Sequence, residues 1–279
     1  MTLILDGRRV ALEKESSLQP VVSAWRERSG RVPCLATILV GTNPASATYV
    51  RMKASACRRI GIEPLLVHLS ESTSTRQLLD QIKELNEDPD VFGILLQHPV
   101  PPEIDERQCF DAIALEKDTD GVTAAGFGRM AMGLQAFSSA TPTGIMSLLR
   151  EYKLDLAGKH AIVLGRSPIL GKPMAAMLLN ADATVTVCHS KTSDLKGIVA
   201  RADILVAAVG KPRFVPGSWI PDGAIVVDAG YHPGGVGDID AIGEEVRWSA
   251  YTPVPGGVGP MTISALLENT VQAMELRHG

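Results

Sequence analysis

The sequence predicts an α/β protein made of two α/β units, the second of them Rossmann-like. Three observations carry this prediction. Short apolar runs alternate with stretches of helical length, the alternation restarts after a glycine-rich stretch, and the restart opens on a strand that ends in a glycine loop.

In the first unit, LATILVG (35–41) reads as a buried strand. NPASATYVRMKASACRRIG (43–61) reads as a helix, with Asn43 as N-cap, Pro44 in the first turn and Gly61 as the stop. PLLVHLS (64–70) is a strand, and STSTRQLLDQIKELNED (72–88) is a helix capped by a serine or threonine. VFGILLQ (91–97) is a strand that ends before Pro99, Pro101 and Pro102. Strands that alternate with helices imply a parallel sheet with crossover connections. GVTAAGFGRMAMG (121–133) interrupts the pattern, and the seam between units is expected near 120–145.

The second unit begins with a helix at TPTGIMSLLREY (141–152). HAIVLG (160–165), ATVTVCH (183–189), DILVAAVG (203–210) and AIVVDAG (224–230) are strands, and GKPMAAMLLNA (171–181) is a helix between the first two. GPMTISALLENTVQAMEL (259–276) is a final helix. The expected domains are 1–143 and 144–259, with the helix at 260–279 returning to the first.

Composition bounds the function. The 279 residues are 45% hydrophobic and 21% charged, with a formal net charge of −4. This is the balance of a globular protein and gives no electrostatic footprint for nucleic acid or an anionic membrane. No apolar run reaches the roughly 18 residues that a membrane helix needs. MTLILDGRRV lacks the basic flank and cleavage site of a signal peptide, and the four cysteines are scattered with no C-x-x-C spacing. A reduced, cytoplasmic protein without a metal site is expected.

The glycine loop, AIVLGRSPILGKP (161–173), carries the first chemical signal. Gly165 ends a strand and Gly171 opens a helix, whose N-terminus suits a phosphate. The spacing departs from G-x-G-x-x-G, so an ordinary βα turn fits it equally well. The next strand ends in His189, Ser190 and Lys191, with no acid to hold ribose hydroxyls, and Arg166 sits in the loop itself. That set favours NADP over NAD. His189 alone reads most simply as a surface histidine.

Tyr49 and Lys53 lie four apart on one helix face, where a tyrosine can donate a hydrogen bond while a lysine moves a proton. The spacing also fits an amphipathic helix with a lysine stem along its side. Short-chain dehydrogenases use the same spacing, but their glycine loop precedes the pair. Gln97 ends the third strand, and ligands of α/β sheets bind beyond the carboxyl ends of strands. Asp120, in the turn KDTDG (117–121), either binds an amidine-like ring edge or forms the turn.

Taken in order, VGTNPASATYVRMKASAC, GILLQHPVPP, KDTDG, ATPTGI, GRSPILGKP, VCHSKT, AVGKP, DAG and TPVPGGVGPMTISALLENT resemble the bifunctional methylenetetrahydrofolate dehydrogenase/cyclohydrolases nearly end to end. The last segment is close to that family's signature. The resemblance implies two domains flanking a cleft, with the folate on the first and NADP on the second. It implies Lys53 as the catalytic lysine, Tyr49 as the residue that helps place the substrate, Gln97 as its tuner and Asp120 as the holder of the pterin ring. Pro255, Gly256 and Gly257 would line the crevice. Gly165, Arg166, Ser167, Ser190 and Gly210 would hold the cofactor, with Tyr231 near the nicotinamide. A homodimer through the cofactor domain is implied as well.

Four sites depart from the family pattern. His98 replaces Leu in Gln-Leu-Pro, Thr119 replaces Val in Lys-Asp-Val-Asp-Gly, Ser139-Ala140 replaces Pro-Cys, and Ala229-Gly230-Tyr231 replaces Val-Gly-Ile. A charged His98 within reach of Lys53 would depress the lysine's pKa and alter the cyclohydrolase step. The departures leave open a specialised paralogue with dehydrogenase activity alone, or a folate or NADP binder without turnover.

Overall fold

A computed structural model describes residues 2–242 and 245–277. The chain runs β1 (Leu3–Ile4), α1 (Gly7–Ser29), β2 (Cys34–Val40), α2 (Pro44–Ile60), β3 (Glu63–Leu69), α3 (Thr75–Glu87), β4 (Val91–Leu96), α4 (Glu106–Asp111) and α5 (Ala124–Ala131). It continues through α6 (Ala140–Glu151), β5 (His160–Leu164), α7 (Gly171–Leu179), β6 (Thr184–Cys188), α8 (Leu195–Val199), β7 (Ile204–Ala207), β8 (Val215–Pro216), β9 (Ile225–Asp228), β10 (Ile239–Asp240), β11 (Ala250–Tyr251) and α9 (Val258–Leu276). Residues 12–140 with those from 263 onward form one compact unit, and residues up to 11 with 141–262 form the other.

The first of these holds a three-stranded parallel sheet in the order β3-β2-β4. Every residue of β2, CLATILV, is buried, because a central parallel strand is covered on both faces. Edge strand β3 is largely exposed. Asn43 caps α2, its Oδ1 accepting from the Ser46 amide at 3.1 Å, and Gly61 ends the helix at φ +89°. Helix α3 starts on a Ser74–Gln77 capping box and buries Leu78, Ile82 and Leu85 at helical spacing. The core sets Trp25 edge-on against Phe92 and packs Ile60 and Leu95 with Leu266, Leu267 and Met274 of α9.

Three helices here were not expected from the sequence, among them the short α4. Helix α1 packs Leu18, Val21, Val22 and Trp25 into this core, although Pro20 lies in its interior. Proline is a helix breaker by rule, and it masks the periodicity. The glycine-rich stretch contains α5, which Thr123 caps by accepting from the Gly126 amide at 2.9 Å.

The second unit is a six-stranded, wholly parallel sheet in the order β1-β11-β9-β7-β5-β6. Strands β7 and β9 are buried throughout, and β5 at all but its first residue. One face buries Ile145, Leu149, Val163 and Met174, the other Ile162, Val199, Leu205 and Trp248. Residues 3–4 pair with β11, so the N-terminal strand lies in this unit rather than with the rest of 1–143. A two-residue strand has no pattern by which a sequence could announce it.

Candidate active site and cofactor pocket

In the three-stranded unit the chain passes from central β2 to β3 on one side and then to β4 on the other. The sheet order therefore reverses between the carboxyl ends of β2 and β4, where α/β sheets bind ligands. Gln97 leaves β4 at this point, its amide donating to the Ile38 carbonyl at 2.8 Å. Its side chain is buried, and its Nε2 donates to the His98 carbonyl at 2.7 Å. That bond fixes the amide flip and turns Oε1 toward α2, where it accepts from Lys53 Nζ at 3.1 Å. Tyr49 sits one turn earlier on the same helix, half-buried.

Charge completes the group. Burial pulls the Lys53 pKa below the usual lysine range, and the Asp120 carboxylate opposes this. Burial pushes Asp120 up, and Lys53 and then His98 oppose that. The Asp120 backbone is held where its carbonyl accepts from the Ala140 amide at 3.0 Å. In the same turn Asp118 accepts from the Val122 and Thr123 amides, each at 2.9 Å, and burial raises its pKa to about 6. Buried Lys117 ties the turn to the end of α3 by donating to the Leu85 carbonyl at 2.9 Å and the Asp88 carbonyl at 2.6 Å.

His98 Nδ1 pairs with Glu106 Oε1 at 2.6 Å. Burial is the main cause of the lowering at Lys53. Glu106 opens α4 and gave no signal in the sequence. Thr119 is fully buried, and its hydroxyl has no hydrogen-bond partner among the described residues.

The six-stranded unit carries a pocket of about 400 Å³ at the carboxyl ends of β5, β6 and β7. Gly165, Arg166, Ser167 and Ser190 line it. Gly165 has φ +127°, and a Cβ there would overlap the Ala208 carbonyl, so the loop admits no larger residue. A Cβ on Gly171 would strike the Gly165 carbonyl, which keeps the α7 N-terminus close to the strand end. Ser167 Oγ accepts from the Gly171 amide at 3.3 Å. His189, Lys211 and Phe214 also line the pocket, with the Lys211 ammonium 5.4 Å above the Phe214 ring. No acid lines it among the described residues. Two cations and two serine hydroxyls in a glycine cradle fit a phosphorylated dinucleotide.

The remaining expected residues lie in this second unit. Gly210 follows β7 at φ +66°, and Tyr231 follows β9, 57% exposed. Pro255, Gly256 and Gly257 form the turn after β11, where the Gly257 amide donates to the Pro253 carbonyl at 2.8 Å. The structure thus groups Lys53, Gln97, His98 and Asp120 in one unit and the glycine-loop residues in the other.

Comparison with known proteins also divides the chain in two. Residues 5–120 match the family model for the tetrahydrofolate dehydrogenase/cyclohydrolase catalytic domain, and residues 139–278 match the NAD(P)-binding domain of the same family. The bifunctional protein FolD of Cellvibrio japonicus is 62% identical over 273 residues, 98% of each chain. The crystal structure of the bifunctional methylenetetrahydrofolate dehydrogenase/cyclohydrolase from Campylobacter jejuni superposes with a TM-score of 0.96 at 42% identity, covering 99% of this chain and 100% of that one. The Trypanosoma brucei dehydrogenase–cyclohydrolase, solved with NADP and an inhibitor, gives a TM-score of 0.94 at 36% identity, covering 99% and 98%. With both halves matched in order over nearly the whole length, the chain belongs to the tetrahydrofolate dehydrogenase/cyclohydrolase family.

Proposed function

We propose that the protein oxidises 5,10-methylenetetrahydrofolate to the 5,10-methenyl form with NADP and hydrolyses that product to 10-formyltetrahydrofolate. The observation that carries the reading is the Lys53–Gln97–Asp120 group at the reversal point of the small sheet, in a chain of this family.

The hydrolytic step needs a group that takes a proton from water and returns it to the leaving nitrogen. Lys53 suits this, because burial makes its free amine accessible nearer neutral pH. Gln97 Oε1 accepts from Nζ and steadies the ammonium that forms when the proton arrives. Tyr49, on the same helix face, places the substrate with Lys53, and His98 borders it. Asp120 accepts from the pterin's donor edge, where a carboxylate can receive two parallel hydrogen bonds. NADP, when bound, supplies the hydride acceptor. Gly165, Arg166, Ser167, Ser190 and Gly210 would hold it, the Arg166 guanidinium suiting a 2′-phosphate, and Tyr231 is assigned to the nicotinamide side by the family resemblance. The family resemblance also implies Pro255, Gly256 and Gly257 as substrate contacts.

The assignment of folate binding to 1–143 and of NADP binding to 144–259 follows the same reasoning. A cytoplasmic homodimer through the cofactor domain, without nucleic-acid or membrane partners, is supported by the family resemblance and the net charge of −4. Among the described residues no helix is long and apolar enough to cross a membrane.

Lys53→Met tests the central role. Hydrolysis of 5,10-methenyltetrahydrofolate should fall by about 10²–10⁴-fold, the usual worth of a positioned acid–base group. NADP binding by calorimetry should be unchanged. Hydrolysis near the parental rate would remove Lys53 from the mechanism.

A further inference from the structure

The loop that follows β7 forms one wall of the cofactor pocket through Val209 and Lys211. It is held by a residue that no part of the proposed chemistry uses. Asp238 is fully buried, and its carboxylate receives three successive backbone amides. Oδ2 accepts from Val209 at 2.6 Å and Gly210 at 3.0 Å, and Oδ1 accepts from Lys211 at 3.1 Å. A fourth donor arrives from His232, whose Nε2 lies 2.8 Å from Oδ1. A carboxylate oxygen only accepts, so this bond places the proton on Nε2.

The arrangement is built from both sides. The Asp238 amide donates to Asp228 Oδ1 at 2.9 Å and the Ile239 amide to Asp228 Oδ2 at 2.9 Å, which fixes where Asp238 begins. Gly230 lies so close that a Cβ there would collide with Asp238 Oδ1. Two loops remote in sequence, 209–211 and 228–239, are therefore joined through one charge. A run of three amides facing a single carboxylate is an anion nest occupied from within, and it sets the backbone path of the wall.

We infer that Asp238, oriented by His232, is a positioning residue for the cofactor pocket: it fixes the 209–211 wall from which Lys211 faces the bound dinucleotide. The inference rests on the reading of this pocket as the NADP site. Asp238 itself touches no ligand. Lys211 joins Arg166 as a second cation of the pocket, and its direction depends on the amide that Asp238 holds.

The test uses the full-length protein and three variants: Asp238→Asn, His232→Leu and His232→Gln. Hydrogen exchange across 209–211 is read alongside NADP titration calorimetry and steady-state KM values for both substrates. Asp238→Asn turns one acceptor oxygen into a donor facing an amide, so exchange at 209–211 should rise about tenfold or more, the scale of one lost charge-assisted hydrogen bond. NADP Kd and KM should rise by a similar factor, with KM for the folate unchanged. His232→Leu, at a partly exposed site that tolerates an apolar side chain, should show the same pattern to a smaller degree. His232→Gln should restore it, because the glutamine Nε2 can stand where the imidazole Nε2 stood. Unchanged exchange at 209–211 in Asp238→Asn and His232→Leu would overturn the clamp, whatever NADP does. Faster exchange with unchanged NADP affinity would overturn its role in the pocket. A parental protein that binds no NADP would overturn the cofactor reading, and with it that role, while exchange still reports on the clamp.

Discussion

Replacing Gln97 with leucine asks whether its amide sets the charge on Lys53. The side chain is anchored by its 2.7 Å bond to the His98 carbonyl and presents Oε1 to Nζ at 3.1 Å. Leucine fills similar space and offers no acceptor. A hydrogen bond to a charged group contributes about 1.5–3 kcal/mol, and partial exposure of the pair favours the lower end. Losing it disfavours the ammonium by that amount, in the same direction as burial, which already lowers the pKa. The ratio of free amine to ammonium at a fixed pH should therefore rise about tenfold. Competitive acetylation with mass-spectrometric readout measures this, with Lys83, whose side chain is 73% exposed, as the internal reference. The Lys53-to-Lys83 labelling ratio at a fixed pH below saturation should rise about tenfold, and the limb of the hydrolysis pH profile that Lys53 controls should move to lower pH. An unchanged or smaller ratio in a folded variant would refute the reasoning.

Three further substitutions test the surroundings. Gly165→Ala puts a Cβ into the Ala208 carbonyl at a backbone angle of φ +127°, and NADP affinity by calorimetry should fall about tenfold or more while 5,10-methenyl hydrolysis persists. Asp118 has a folded pKa of about 6 against 3.8 unfolded, so the folded state holds the proton more tightly and stability is lost as pH rises through that window. Measured by urea melts, the native protein should lose about 3 kcal/mol relative to Asp118→Asn between pH 3.5 and 7, at about 1.4 kcal/mol per pH unit of difference. Thr119→Val removes a buried hydroxyl without a hydrogen-bond partner at almost constant shape, and should gain about 1 kcal/mol in the same melts.

The sequence made some of this legible and hid the rest for physical reasons. Strands such as 35–41 and 203–210 announce themselves because a central parallel strand is buried on both faces and reads as a nearly continuous apolar run. The Asn43 cap and the Gly61 stop were readable because each residue type has one dominant reason to stand there. Helix α1 was not, since Pro20 breaks a pattern that packing against Trp25 and Val22 sustains. The Lys53–Gln97 pair was suggested by position, four residues after Tyr49 and at a strand end, but the bond that orients the Gln97 amide exists only once the chain turns back at His98. Glu106 and Asp238 were invisible for a similar reason: His98 lies eight residues from Glu106, and the three amides that Asp238 holds lie 27–29 residues from it, with no local motif to announce either.

The most direct test of the account follows the purified protein with 5,10-methylenetetrahydrofolate and NADP, recording NADPH, the methenyl intermediate and 10-formyltetrahydrofolate together, with NAD in parallel. NADPH and 10-formyltetrahydrofolate should rise in step while the methenyl form stays low, and NAD should support a slower reaction. No reduction with either cofactor, or methenyl accumulating in proportion to NADPH, would contradict a bifunctional enzyme.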